Sequence, residues 1–137
     1  MLLDTHVWIR AASGEPRLGA RTRRALNREA AAGGVHVSAI SAFEIAALSA
    51  AGRLVLNQPV ERWIRDSIAR GNLRVLELDT GVAIDAGAIG ADAVGDPIDR
   101  LLIATARDAG VPLVTRDRRL LDFATRTGVV RALDAAR

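Results

Sequence analysis

Four places in this chain of 137 residues put a carboxylate where a buried strand ends or a helix begins. Asp4 closes the short apolar start Met-Leu-Leu. Glu44 falls in the first turn of a helix expected to begin at Ser41. Asp96 and Asp99 open a helix in GDPIDRLLIATARDAG, and Asp117 follows the apolar run Pro112-Leu-Val-Thr115. Clustered carboxylates repel one another, and burial raises their pKa further. A hard divalent cation relieves that repulsion, because Mg²⁺ takes oxygen ligands and keeps several waters. Water on such an ion can attack a phosphodiester, and a second ion can steady the leaving oxygen. No histidine or cysteine is needed for this chemistry.

The elements that must position these acids alternate between strand and helix. Strands are expected at 1–4, 35–38, 73–78, 112–115 and 129–133. Helices are expected at 5–12, 17–32, 41–51, 60–70, 80–90, 96–109 and 118–127. Gly110 and Pro112 give the 96–109 helix its stop signal. Strands alternating with helices imply an α/β fold with a mostly parallel sheet. In such a sheet the strand carboxyl ends and neighbouring helix N-termini border one crevice, so all four groups of acids fall on the same edge. The length suits one domain with one full core.

Composition narrows the function classes. Half the residues are apolar, which argues against disorder. With no cysteine, disulfides and thiolate metal sites are excluded, which fits a reducing cytoplasm. The opening apolar run is too short for a signal peptide, and no stretch reaches the roughly 20 apolar residues of a membrane span. The pI of about 11.1 accompanies a net charge of only +3. All the basic residues are arginine, and the chain lacks lysine, tyrosine and cysteine, so the pI reports which groups are missing. The balance is compatible with nucleic acid without requiring it. Without lysine, a receiver domain and a haloacid-dehalogenase phosphatase are both excluded. No G-x-G-x-x-G supports dinucleotide binding.

The stretches LLDTHVWI at 2–9, SAFE at 41–44, DPIDRLLIATA at 96–106 and LVTRD at 113–117 together resemble a PIN-domain ribonuclease of the VapC toxin type. The resemblance runs over essentially the whole chain. It implies a single-domain, three-layer α/β/α fold with a short, mostly parallel sheet of four or five strands. It also implies Mg²⁺- or Mn²⁺-dependent cleavage of RNA, a homodimer, and neutralisation by a small VapB-type antitoxin whose tail enters the active site. The family's four acids carry over onto Asp4, Glu44, Asp99 and Asp117, with Asp96 an extra acid of the DPxDR branch. Asp4 and Asp99 are the expected direct metal ligands. Asp117 and Glu44, with Asp96 nearby, are expected to serve a second ion or the ion's waters.

Each of these residues also has a structural reading. Ser41-x-x-Glu44 spells a capping box, which accounts for Glu44 on that segment alone; with the other acids in order, the site reading takes precedence. Asp96 is a good N-cap before Pro97, and Asp99 suits the helix dipole. Asp117 could cap the helix from Arg118, whereas Asp4 has little structural excuse. Thr5 and Thr115 could hold a carboxylate, a metal water or nearby backbone, and they join Arg116 and Arg118 as candidate RNA contacts, with Arg119 beside them. Arg17, Arg21, Arg24 and Arg28 share one helix face opposite Leu18 and Ala25, most simply a solvated stripe. Trp8 and Trp63 are expected in the core. His6 and His36 are expected to be structural. A non-cleaving RNA- or protein-binding module on the same fold is the alternative to an enzyme.

Overall fold

The computed structural model describes residues 1–14 and 18–137. In chain order the elements are β1 (Leu2–Leu3), α1 (Thr5–Ala12), α2 (Ala20–Ala31), β2 (His36–Ser38), α3 (Ala39–Ala50), α4 (Val60–Gly71) and β3 (Arg74–Leu76). They continue with α5 (Thr80–Ala88), α6 (Pro97–Asp108), β4 (Leu113–Thr115), α7 (Arg118–Thr127) and β5 (Ala132–Asp134). The five strands form one sheet in the order β3-β2-β1-β4-β5, and every pairing is parallel.

Strands of two or three residues suffice because their side chains alternate between two cores. Leu3, Val37 and Val114 point to one face, where Trp8, Leu26, Ile45 and Trp63 pack. Leu2 and Leu113 point to the other, against Leu102, Ile103, Ala106, Leu120 and Phe123. One register gives both faces, as expected of a strand with period two. Helices therefore cover both sides of the sheet, giving the α/β/α layering expected from the sequence. Among the described residues, no helix is long and apolar enough to cross a membrane.

The chain builds outward from β1 to β2 and β3, then crosses to β4 and β5. The reversal falls between β1 and β4, and a parallel sheet opens a crevice at such a point. Leu3 is in register with Val114, so Asp4 and Asp117 leave adjacent strands on one edge.

Several boundaries differ from expectation. The strands are shorter, and β5 begins at Ala132 rather than Val129. The 80–90 helix stops at Ala88. The second helix begins at Ala20; Arg17, the first residue of the expected arginine stripe, lies outside the described residues. Arg21, Arg24 and Arg28 are exposed, while the helix buries Thr22 and Leu26 rather than Ala25. The third helix begins at Ala39, directly after β2. Its N-cap is Ser38, whose hydroxyl accepts from the Ile40 N–H at 3.1 Å. The capping box at Ser41–Glu44 is therefore not formed, and Glu44 sits in the second turn instead of the first. Trp8 and Trp63 are buried with ring centroids 6.1 Å apart, and Trp8 Nε1 donates to Ser67 Oγ at 3.0 Å. His36 lies within β2 with Nδ1 3.3 Å from the Met1 carbonyl oxygen, whereas His6 is exposed.

Candidate active site

Asp4 follows the central strand and is only 7% exposed. Its carboxylate caps α1, accepting from the Val7 N–H at 2.7 Å. The sequence reading gave Asp4 no structural role; the structure gives it one, because the strand turns into a helix with no intervening loop. A cap of this kind stabilises a helix by about 1 kcal/mol. Burial still pushes the Asp4 pKa up, and the charge of Asp117 adds to that. Hydrogen bonds from the Thr115 hydroxyl and the Val7 N–H, with nearby His6, pull the other way without cancelling it.

Asp117 occupies the equivalent place one strand over. It caps α7, accepting from the Arg119 N–H at 2.8 Å. Arg119 Nη2 donates to its second carboxylate oxygen at 3.3 Å. Partial burial works to raise the Asp117 pKa, but the Arg119 hydrogen bonds and charge outweigh it, so the pKa lies below the usual carboxylate range.

Asp96 caps α6 by accepting from the Ile98 N–H at 2.8 Å, with Pro97 at the first helical position. Asp99 lies in the first turn of the same helix, half-buried, and no hydrogen bond from a cap claims it. Its pKa is pushed up to about 7. Burial is the main cause, followed by the charges of Asp96, Asp117, Glu44 and Asp4. The other four acids singled out in the sequence therefore all act on Asp99. Glu44, half-buried, comes from the second turn of α3.

Hydroxyl groups tie the acids' supports together. The Thr115 hydroxyl hydrogen-bonds to Asp4 and accepts from the Asp117 N–H at 3.0 Å. It thus links the two strand-end acids. Thr5 Oγ1 donates to Ser41 Oγ at 2.9 Å, joining α1 to the helix that carries Glu44. Thr5, Ser41 and Thr115 are essentially inaccessible, at 1%, 0% and 0% exposure. This corrects the expectation that Thr5 and Thr115 touch RNA: both are consumed inside the protein. Sequence reasoning passed over the Ser41 hydroxyl because the S-x-x-E pattern had assigned it to a cap. Arg116, Arg118 and Arg119 remain exposed beside Asp117.

Among the described residues, no group of three or more His, Cys, Asp or Glu side chains is arranged to hold a metal ion. The acids approach closely enough to shift Asp99 but do not form a cage. The donor set is all oxygen, which fits a hydrated hard cation. Mg²⁺ is commonly held by one or two carboxylates while keeping its waters. Asp4, Glu44, Asp96, Asp99 and Asp117 are the oxygen donors that converge on this edge.

A large groove lies elsewhere. About 900 Å³ in volume, it is lined by residues that include Trp8, Leu26, Val55 and Trp63, with Arg23 and Arg70 among its polar members, and by none of the five acids.

A family model described as PIN domain matches residues 1–125. Ribonuclease VapC22 of Mycobacterium tuberculosis is 37% identical over 120 residues, covering 88% of each chain. Among solved structures, VapBC2 from Rickettsia felis bound to a DNA fragment from their promoter matches with a TM-score of 0.70 at 14% identity. That match covers 97% of this chain and 96% of the other. FitAcB from Neisseria gonorrhoeae matches with a TM-score of 0.60 at 24% identity, over 98% and 96% of the two chains. At such identities the solved structures establish a shared fold, while the family match and the 37% relative establish descent. This chain belongs to the PIN-domain family, in its VapC-type branch.

Proposed function

We propose that this protein is a Mg²⁺- or Mn²⁺-dependent endoribonuclease that acts in the cytoplasm as the toxin of a toxin–antitoxin pair. The coarser reading, a PIN-domain nuclease toxin, is what its family and its ribonuclease relative support. The observation that carries the finer reading is the state of Asp99, whose pKa is raised to about 7 by burial and by Asp96, Asp117, Glu44 and Asp4. A pocket that holds so many acids at one sheet edge is costly when empty, and positive charge relieves it. When bound there, a divalent cation would supply charge neutralisation and an acidified water able to attack a phosphodiester.

The residues of the chain prepare that chemistry. The Val7 N–H and the Thr115 hydroxyl fix the Asp4 carboxylate in one orientation. Asp99, its pKa pushed up to about 7, is a carboxyl whose proton would be lost more readily beside a bound cation. Arg116 and Arg118, both exposed beside Asp117, are the proposed phosphate contacts. The test is an RNA-cleavage assay on the wild type and Asp4→Asn, with Mg²⁺ and with a chelator. Cleavage by the wild type with Mg²⁺ alone is expected, and none in the other conditions. Metal binding without any cleavage would instead favour the non-cleaving module.

The partner proposed is an antitoxin carrying an apolar segment with acidic flanks. Support comes from the groove over Trp8, Leu26 and Trp63, to whose lining Arg23 and Arg70 contribute cationic groups. A homodimer is proposed through the face that carries Phe43, 62% exposed and adjacent to Glu44. One light-scattering experiment on mixtures with the antitoxin separates the two surfaces. Val55→Asp, at a groove residue 91% exposed, is expected to lose the antitoxin. Phe43→Glu is expected to lose the second copy. Unchanged complexes for both variants would refute both assignments.

A further inference from the structure

Arg119 holds both oxygens of Asp117, one through its backbone N–H at 2.8 Å and the other through its guanidinium at 3.3 Å. A carboxylate that the proposed site needs for its cation is thus already occupied by a positive charge from the same chain. Other arginines nearby are disposed differently. Arg118, the preceding residue, reaches to Asp134 at 3.8 Å on the C-terminal strand. The Arg119 guanidinium instead meets an acid of the proposed site. Its side chain is 91% exposed, and exposed ion pairs are weak and salt-sensitive. The contact can form without locking the site.

We propose that Arg119 is a built-in counter-ion of the acid pocket, pairing with Asp117 when no divalent cation is present and yielding that carboxylate when one enters. The inference rests on the proposed function, since it takes the pocket to be a cation site. The pairing offsets one of the site's negative charges, that of Asp117, from within the chain. It also means that a divalent cation, or the waters it carries, would compete for Asp117 with a group tethered two residues away.

The test is calorimetric titration of Mn²⁺ into the wild type, Arg119→Gln, Arg118→Gln and Asp99→Asn. Both arginine variants remove one positive charge from the same end of α7, but only Arg119→Gln removes the contact. Arg119→Gln is expected to bind Mn²⁺ about two- to five-fold more tightly than the wild type, the range set by an exposed ion pair. Arg118→Gln is expected to stay close to the wild type. Equal affinities for the two arginine variants would overturn the counter-ion role while leaving the metal site standing, provided that Asp99→Asn loses Mn²⁺. No Mn²⁺ binding by the wild type would overturn both readings.

Discussion

Replacing Asp99 with Asn is expected to lower RNA cleavage by more than about 100-fold, beyond the loss typical of residues that only support a metal ligand. The same change is expected to stabilise the cation-free fold near neutral pH. The two effects have one cause. Asp99 titrates near 7 in the folded protein against an ordinary value of 3.8. Between those values the folded state binds more protons than the unfolded one, so stability falls as pH rises through that window. Asp4 is shifted in the same direction by burial. Asp117 is shifted oppositely; its contribution is present above its unfolded pKa and disappears only under acid conditions below this window. Asn removes the Asp99 charge and keeps its shape. Once the half-exposure of Asp99 and salt screening are allowed for, the gain at neutral pH is on the order of 1–2 kcal/mol, vanishing near pH 4. Cleavage assays and urea denaturation at two pH values check both parts. Full activity, or destabilisation at neutral pH, would contradict the role given to Asp99.

Thr115→Val is the second large effect expected. The hydroxyl is fully buried, hydrogen-bonds to Asp4 and accepts the Asp117 N–H. Valine keeps the β-branched shape that suits β4 but removes both bonds at once. The Asp4 carboxyl loses one of the groups that hold its pKa down, and the Asp117 N–H is left without that acceptor. Cleavage is expected to fall about 10- to 100-fold, as for supporting residues around other metal ligands. Stability is expected to fall by about 1–3 kcal/mol, the cost of unsatisfied buried polar groups. Thr115→Ser restores the hydroxyl and is expected to recover most of the activity. Equal impairment of the Ser and Val variants would show that the methyl group, not the hydroxyl, matters there.

The convergence of the acids was legible because it depends on chain order and on a few strong signals. Gly110 and Pro112 mark the end of α6, and the apolar runs before Asp4 and Asp117 mark β1 and β4. Once those strands are parallel neighbours, geometry brings the acids after them together. The start of α3 was not legible. VSAISAFE contains two serines that could each cap a helix, and β2 passes into α3 with no loop to show which one does. Tertiary pairing of His36–Ser38 with β3 decided for Ser38, freeing Ser41 to meet Thr5. The groove was hidden for a similar reason: it forms only where separated segments bring Trp8 and Trp63 together across the chain. No local pattern encodes that meeting.

The most direct test of a pocket that only a cation makes comfortable is the unfolding free energy of the wild type and Asp99→Asn at about pH 5 and pH 8, with and without Mg²⁺. Without Mg²⁺ the wild type should lose stability from the lower to the higher pH, Mg²⁺ should restore it at the higher pH, and Asp99→Asn should show a smaller fall and little response to the ion. A wild type equally stable at both pH values and indifferent to Mg²⁺ would contradict the account.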